Sequence, residues 1–289
     1  MDSVIAGIED TEESRGALRF ARLLAGDDSN LTIASVYAYG YYMAPIGEIQ
    51  EAREDYFQRM REIAAEEAGS DWDFKEFVGL SAPAGITRAA EEADADMIVI
   101  GSSHRGPIGR VLMGDAGARL AAGAPCAVAV TPRGWDRKSA GRIERIGVAV
   151  DGSSESAGAI AFASVLADQF DAEIRMIGVV PYVMAPTGTG MGIAGPEVQQ
   201  TIKDELDTWM KTANELVGPS RIQPEIFVGD AADEIAEASQ DVDLMVMGSR
   251  GYGPLRRVLL GGTSLKVMRS AACPVIVVPR SGESEDSAS

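Results

Sequence analysis

The sequence predicts an α/β protein made of two parallel sheets, each covered by helices on both faces. Three observations predict it. Short apolar runs alternate with helical segments along the chain. The runs are continuously apolar rather than alternating, as strands buried on both faces are. The whole order of elements occurs twice, and each copy holds five strands.

The duplication is visible in the text. DADMIVIGSSHRGPIGRVLMGDAGARLAAGAPCAVAVTPR (94–133) aligns without gaps on DVDLMVMGSRGYGPLRRVLLGGTSLKVMRSAACPVIVVPR (241–280). VIAGIEDTEESRGALRFARLLAG (4–26) parallels GVAVDGSSESAGAIAFASVLADQ, which begins at Gly147. A domain-sized period means two domains rather than a solenoid. The polar, turn-rich stretch RGWDRKSAGR (133–142) reads as the join, giving domains over 1–138 and 139–281. The acidic, small-residue tail 282–289 reads as disordered.

Each copy opens on an apolar strand, Ser3–Ile8 and Arg145–Val150. Hydroxyl and acidic residues follow; Ser153, Ser154 and Glu155 suit a helix N-cap. Amphipathic helices come next, Ser14–Leu24 and Ser156–Ala167, then second strands, Leu31–Tyr37 and Glu173–Val180. After a variable loop, long helices are predicted over Glu48–Ala68 and Pro196–Leu216. Third strands (Trp72–Val78; Gln223–Val228), short helices (Gly85–Ala93; Ala232–Gln240) and fourth strands (Met97–Ile100; Leu244–Met247) follow in turn. A glycine loop, a helix (Asp115–Ala122; Thr263–Ser270) and a last strand (Ala127–Thr131; Val275–Val278) close each unit. Ligands of such sheets sit beyond the carboxyl ends of the strands, where strand order reverses. The glycine loop falls there.

Bulk properties narrow the function. The formal net charge is −18, which disfavours nonspecific binding to nucleic acid or anionic membranes. No apolar run reaches membrane-helix length, and MDSVIAGIED lacks the features of a signal peptide, so a cytoplasmic protein is expected. Cys126 and Cys273 occupy matching places at the entry to an apolar run and read as small buried hydrophobes. With one histidine, His104, and no Cys/His cluster, no transition-metal site is indicated.

The glycine loop of the second copy is GSRGYGPLRRVLLGGTS (248–264), with Gly248, Gly251 and Gly261 spaced G-x2-G-x9-G. Glycine permits positive φ and lets amides approach an anion. Gly261-Gly262-Thr263-Ser264 opens the next helix, whose free amides and dipole point at the same place. Arg250, Arg256 and Arg257 add cations in an acidic chain. On the residues alone two readings stand: a phosphate cradle, or a tight strand-to-helix connection with solvated arginines. A second pattern, Gly190, Gly192 and Gly195 in GTGMGIAG, matches G-x-G-x-x-G but follows no strand directly, so a lid or variable loop is the expectation. There is no GK[ST], no G-x-S-x-G elbow and no Cys/His nucleophile pair.

VAVDGSSESAGAIAFA, the GSRG loop with its LLGG, and ACPVIVVPR together resemble the universal stress protein family over nearly the whole length of both copies. The resemblance implies two Rossmann-like (adenine nucleotide alpha hydrolase-like) domains, each with a five-stranded parallel sheet. It implies ATP as the bound nucleotide in members carrying G-x2-G-x9-G-(S/T), and leaves magnesium open as its companion. It also implies pairing through the last strands, between chains or within one chain. Carried onto this sequence, Ala149, Val150 and Asp151 end the first strand at the nucleoside, and Val179 meets adenine through its backbone. Met247, Gly248, Arg250 and Gly251 hold ribose and phosphates. Gly261, Gly262, Thr263 and Ser264 receive the phosphates, and Gly229 lines the same cleft. Gly262 departs from the pattern's Ser or Thr, a loss worth about 0.5–1.5 kcal/mol.

The first copy departs further. His104 replaces the second glycine, Glu9 replaces Asp151, and Asp115 follows Gly114. A carboxylate beside phosphate repels by about 4 kcal/mol at an effective dielectric of 20. The first copy is therefore expected to bind ATP poorly and to serve as a pairing partner, unless a magnesium ion bridges Asp115 to phosphate. The leading expectation is a nucleotide-responsive regulator of the stress response. A slow ATP hydrolase or adenylyl-transfer enzyme, and a nucleotide-free scaffold, remain alternatives.

Overall fold

The computed structural model describes residues 1–26, 30–38, 46–79, 81–102, 111, 114–135, 142–181, 184–187, 190–193, 200–204, 206–208, 210–211, 222–249 and 261–279. The first repeat runs β1 (Ser3–Ile8), α1 (Glu12–Ala25), β2 (Asn30–Ala38), α2 (Ile46–Ala68), β3 (Asp73–Gly79), α3 (Ala82–Glu92), β4 (Met97–Gly101), α4 (Asp115–Ala121) and β5 (Ala127–Thr131). The second runs β6 (Arg145–Val150), α5 (Ser154–Phe170), β7 (Glu173–Val180), β8 (Met184–Thr187), β9 (Gly190–Ile193), β10 (Ile222–Val228), α6 (Ala231–Ala238), β11 (Leu244–Gly248), α7 (Gly262–Val267) and β12 (Val275–Val278). Residues 200–204, between β9 and β10, are helical as well.

The two five-stranded sheets are halves of one. Strand order is β10-β7-β6-β11-β12-β5-β4-β1-β2-β3. Every pairing inside a half is parallel. The halves meet where β5 and β12 pair antiparallel, with Val275 opposite Val130 and Val277 opposite Val128. The closing strands thus pair within the chain.

The sheet is buried on both faces because its strands are apolar at successive positions. Val4, Ala6 and Ile8 of β1 join Leu18 and Phe20 of α1 and Met60 and Ile63 of α2 on one face. Ile5 joins Ala89 and Ala90 of α3 and Leu120 of α4 on the other. Both cores cross the join, since Ile276 belongs to the first and Val128, Val130, Val275 and Val277 to the second. Each such side chain contributes about 1.5–3 kcal/mol on burial.

Local polar contacts fix where elements start. Thr11 and Ser153 cap α1 and α5 by accepting from Ser14 N and Ser156 N. Asp96 Oδ2 accepts from Asp2 N (2.6 Å) and Ser3 N (3.1 Å) at the mouth of β1. Asp243 Oδ2 accepts from Glu144 N and Arg145 N, both at 2.9 Å, at the mouth of β6.

Some expectations need correction. The segment taken as a loop or lid contains an antiparallel ribbon, β8–β9, with Pro186 opposite Met191. Gly190 and Gly192 are part of it, and Gly195 lies outside the described residues. MAPT and GMGI show no apolar alternation, so nothing in the text marks a strand. Helix α3 starts at Ala82, because a proline in the first turn needs no amide partner. Helix α5 runs on to Phe170 and stops at Asp171, which is left-handed at φ 54 and ψ 45. The tail after residue 281 and the join at 136–141 lie outside the described residues. No helix among the described residues is long and apolar enough to cross a membrane.

Candidate functional site

In the second repeat the chain leaves β6 toward β7 and leaves β11 toward β12, so a crevice opens between the two departures. A cavity of about 270 Å³ sits there. Nine residues singled out in the sequence line it: Ala149, Val150, Asp151, Val179, Met247, Gly248, Gly261, Thr263 and Ser264. Gly229 and Gly262 are not in its wall. Gly229 N donates to Val180 O at 3.0 Å, and a Cβ there would run into Glu234. Arg250, Gly251, Arg256 and Arg257 lie outside the described residues.

Asp151 is held in one orientation. Ser153 Oγ and Ser156 Oγ donate to its Oδ1 at 2.5 and 2.6 Å, and Ser153 N donates at 3.1 Å. Gly152, at φ 81, makes the turn that brings these donors round. Burial works against the charged form, but these hydrogen bonds outweigh it and hold the carboxyl below the usual aspartate range. Asp151 therefore presents a fixed anionic acceptor to the cavity.

The described glycines of the loop act differently from the expectation that they supply positive φ. Gly261 has φ −72, and neither Gly248 nor Gly262 is left-handed. Gly248 is glycine because the first turn of α5 lies against it: a Cβ would stand 2.8 Å from Glu155 O. Among the described residues, nothing lies within 4 Å of a Cβ added at Gly262. Thr263 and Ser264 sit in the first turn of α7, whose first intrahelical bond is Leu265 N to Gly261 O at 2.9 Å. Ser264 Oγ reaches Gly248 O only at 3.5 Å. Ser249, 3% exposed and in the cavity wall, has a hydroxyl with no hydrogen-bond partner among the described residues.

Sequence reasoning missed Ser156, Ser249, Ala231 and Ile235 as wall residues, and read Ser153 and Glu155, also in the wall, only as helix-capping residues. Ser156 and Ser249 carried a signal, since Ser14 and Ser102 stand at the matching places of the first repeat. Ala231 and Ile235 carried none beyond their helix.

The model of the universal stress protein family matches residues 1–132 and again 142–279. The chain belongs to the universal stress protein family. A Mycobacterium tuberculosis universal stress protein is 25% identical over 284 residues, covering 91% of this chain and 93% of the relative. A Methanocaldococcus jannaschii universal stress protein is 33% identical over 142 residues, 47% of this chain and 82% of its own length. The solved structure of a universal stress protein from Archaeoglobus fulgidus shares the fold at a TM-score of 0.69 and 18% identity, over 96% of this chain and 98% of that one.

The first universal stress protein repeat carries a second cavity of about 270 Å³ at the matching crevice. Glu9 stands in place of Asp151, and its N donates to Ser14 Oγ at 3.2 Å, as Asp151 N does to Ser156 Oγ at 3.0 Å. Ala116 and Gly117 stand where the second repeat has Thr263 and Ser264. Glu13 in the wall is buried and pairs with Arg133 Nε at 3.1 Å. His104 lies outside the described residues.

Proposed function

We propose that the second domain, 139–281, binds ATP with magnesium, and that its occupancy makes this universal stress protein a nucleotide-responsive regulator in the stress response. One observation carries the reading. A single cavity gathers a fixed carboxylate at one wall and, at another, the hydroxyls of Thr263 and Ser264 beside that of Ser249, which has no partner among the described residues.

The donor set suits a nucleotide. Asp151 accepts from the ribose hydroxyls, and its bonds to Ser153 and Ser156 keep it ionised and aimed. Val179, Ile235 and Met247 provide an apolar surface for the base. The hydroxyls of Ser249, Thr263 and Ser264 and the amides that open α7 face phosphate oxygens. An unpartnered buried hydroxyl costs about 1–3 kcal/mol, and a bound phosphate relieves that cost at Ser249.

Calorimetry with Mg-ATP tests the reading on the native protein, Gly262→Asp and Gly251→Asp. Gly262→Asp meets no steric obstacle among the described residues and installs the residue the first repeat has at that place, Asp115. The expected result is one site per chain, lost in both variants. Two sites in the native protein would show the first domain to be competent. No binding would leave a scaffold built on a nucleotide fold.

A further inference from the structure

Joining β5 to β12 leaves the sheet with β3 and β10 as its two edges. The outward amides and carbonyls of an edge strand are a template for another strand. In β10 the phase is fixed by Gly229, whose N–H donates to Val180 O. Gln223, Glu225 and Phe227 therefore bond β7, and Pro224, Ile226 and Val228 face outward. Proline at an outward position takes an amide from the edge and blocks it. Phe77-Val78-Gly79 of the first repeat matches Phe227-Val228-Gly229, with Val78 level with Tyr37 as Val228 is with Val180. Phe74, Glu76 and Val78 are then the outward residues of β3, and Phe74 stands where β10 has Pro224. Among the described residues nothing bonds the outer side of β3. Val78 is 50% exposed there.

We propose that β3 is the surface through which two copies of this chain pair, antiparallel and edge to edge, about a two-fold axis normal to the sheet. Such an axis keeps every side chain on its own face. Centred on Glu76, the pairing sets Phe74 opposite the partner's Val78 and Lys75 opposite the partner's Phe77. All three outward residues then exchange hydrogen bonds, and Val78 gains an aromatic cross-strand neighbour. Centring on Lys75 or on Phe77 leaves Val78 or Phe74 without a partner inside the strand. Glu76 meets its own copy, and Arg61 offsets that contact: its guanidinium pairs with Glu76 and lies 5.0 Å from the centre of the Phe74 ring. Charge argues for a second copy as the occupant. Asp73, Lys75 and Glu76 of the strand and the ion-paired Arg61, Glu92 and Arg88 balance in sign. In a chain of net charge −18, this edge is a neutral place for two copies to approach. Pro224 denies β10 the same pairing, so the assembly closes at two chains.

The test is sedimentation velocity of the full chain over a dilution series, with the native protein, Phe74→Pro, Val78→Lys and Val228→Lys. Phe74→Pro installs the residue β10 carries at that place and removes no bond to β2. Val78→Lys takes away the apolar pair at each end of the contact, and Val228→Lys makes the same change at the other edge. The native protein and Val228→Lys should sediment as one dimer that dissociates at the same dilution. Phe74→Pro should be monomeric, and Val78→Lys should dissociate at a concentration about tenfold higher or more. Circular dichroism should match the native spectrum in each. If Phe74→Pro does not fold, Val78→Lys decides. A native chain that is monomeric throughout, a dimer that survives the β3 variants unchanged, or one that Val228→Lys weakens as much as Val78→Lys does overturns the proposal.

Discussion

Among the described residues, Thr131 Oγ1 and Ser249 Oγ are both buried without a hydrogen-bond partner, and they call for opposite predictions. Thr131 lies in β5 at the position that Val278 occupies in β12, away from either cavity wall. Thr131→Val removes an unpaired hydroxyl and should raise stability by about 1 kcal/mol in urea denaturation. Ser249 faces the second cavity, so Ser249→Ala should leave the urea midpoint level or slightly higher while weakening Mg-ATP several-fold. Asp151 makes a pH prediction. Its folded pKa lies below the unfolded value of about 3.9. A depressed carboxyl stabilises the fold above the unfolded value and loses that contribution as pH falls through the folded one. The Tm gap between native protein and Asp151→Asn should therefore be open at pH 7 and close below about pH 4. Burial pushes Cys126 up to about 12 and Cys273 upward too. Neither should react with a thiol reagent until the protein unfolds, and both should then react.

Most apolar strands were legible to within a residue, with β2 running one residue further than predicted at both ends and β4 and β11 at one. Ser3–Ile8, Ala127–Thr131, Arg145–Val150, Glu173–Val180 and Val275–Val278 are predicted and observed with the same bounds. Burial on both faces leaves such strands no register to mistake. Helix ends were less legible, because tertiary contacts decide them. Gln169, beyond the predicted end of α5, donates to Leu24 O in the other repeat at 2.7 Å. The candidate site was legible where glycines and hydroxyls cluster in the text. At Ser249 the repeat marks the position, but the sequence does not show that its hydroxyl is buried without a partner among the described residues. The aspartates before β4 and β11 read as loop residues, yet each ties two amides at the start of the neighbouring strand. Asp243→Ala should cost about 1–3 kcal/mol by leaving those amides unpaired, measured by chemical denaturation.

At the scale of the whole molecule, both cores run through the join, so the two repeats should unfold in one cooperative transition. A chain segment reinforces the join. Val111, from the stretch between β4 and α4, is fully buried and donates its N–H to Ala271 O of the second repeat at 2.8 Å. Val111→Ala should lower the single melting transition of the entire chain, at a cost of about 2 kcal/mol, without splitting it in two. The antiparallel contact of β5 with β12 has one more consequence. Two separate chains meeting through their last strands would come apart on dilution. Here the partner is tethered, so the encounter is intramolecular and its effective concentration is fixed by the connecting peptide. The two cavities therefore keep a constant mutual arrangement whether the cell makes much of this protein or little, and each half is free to diverge in what it binds without losing its mate.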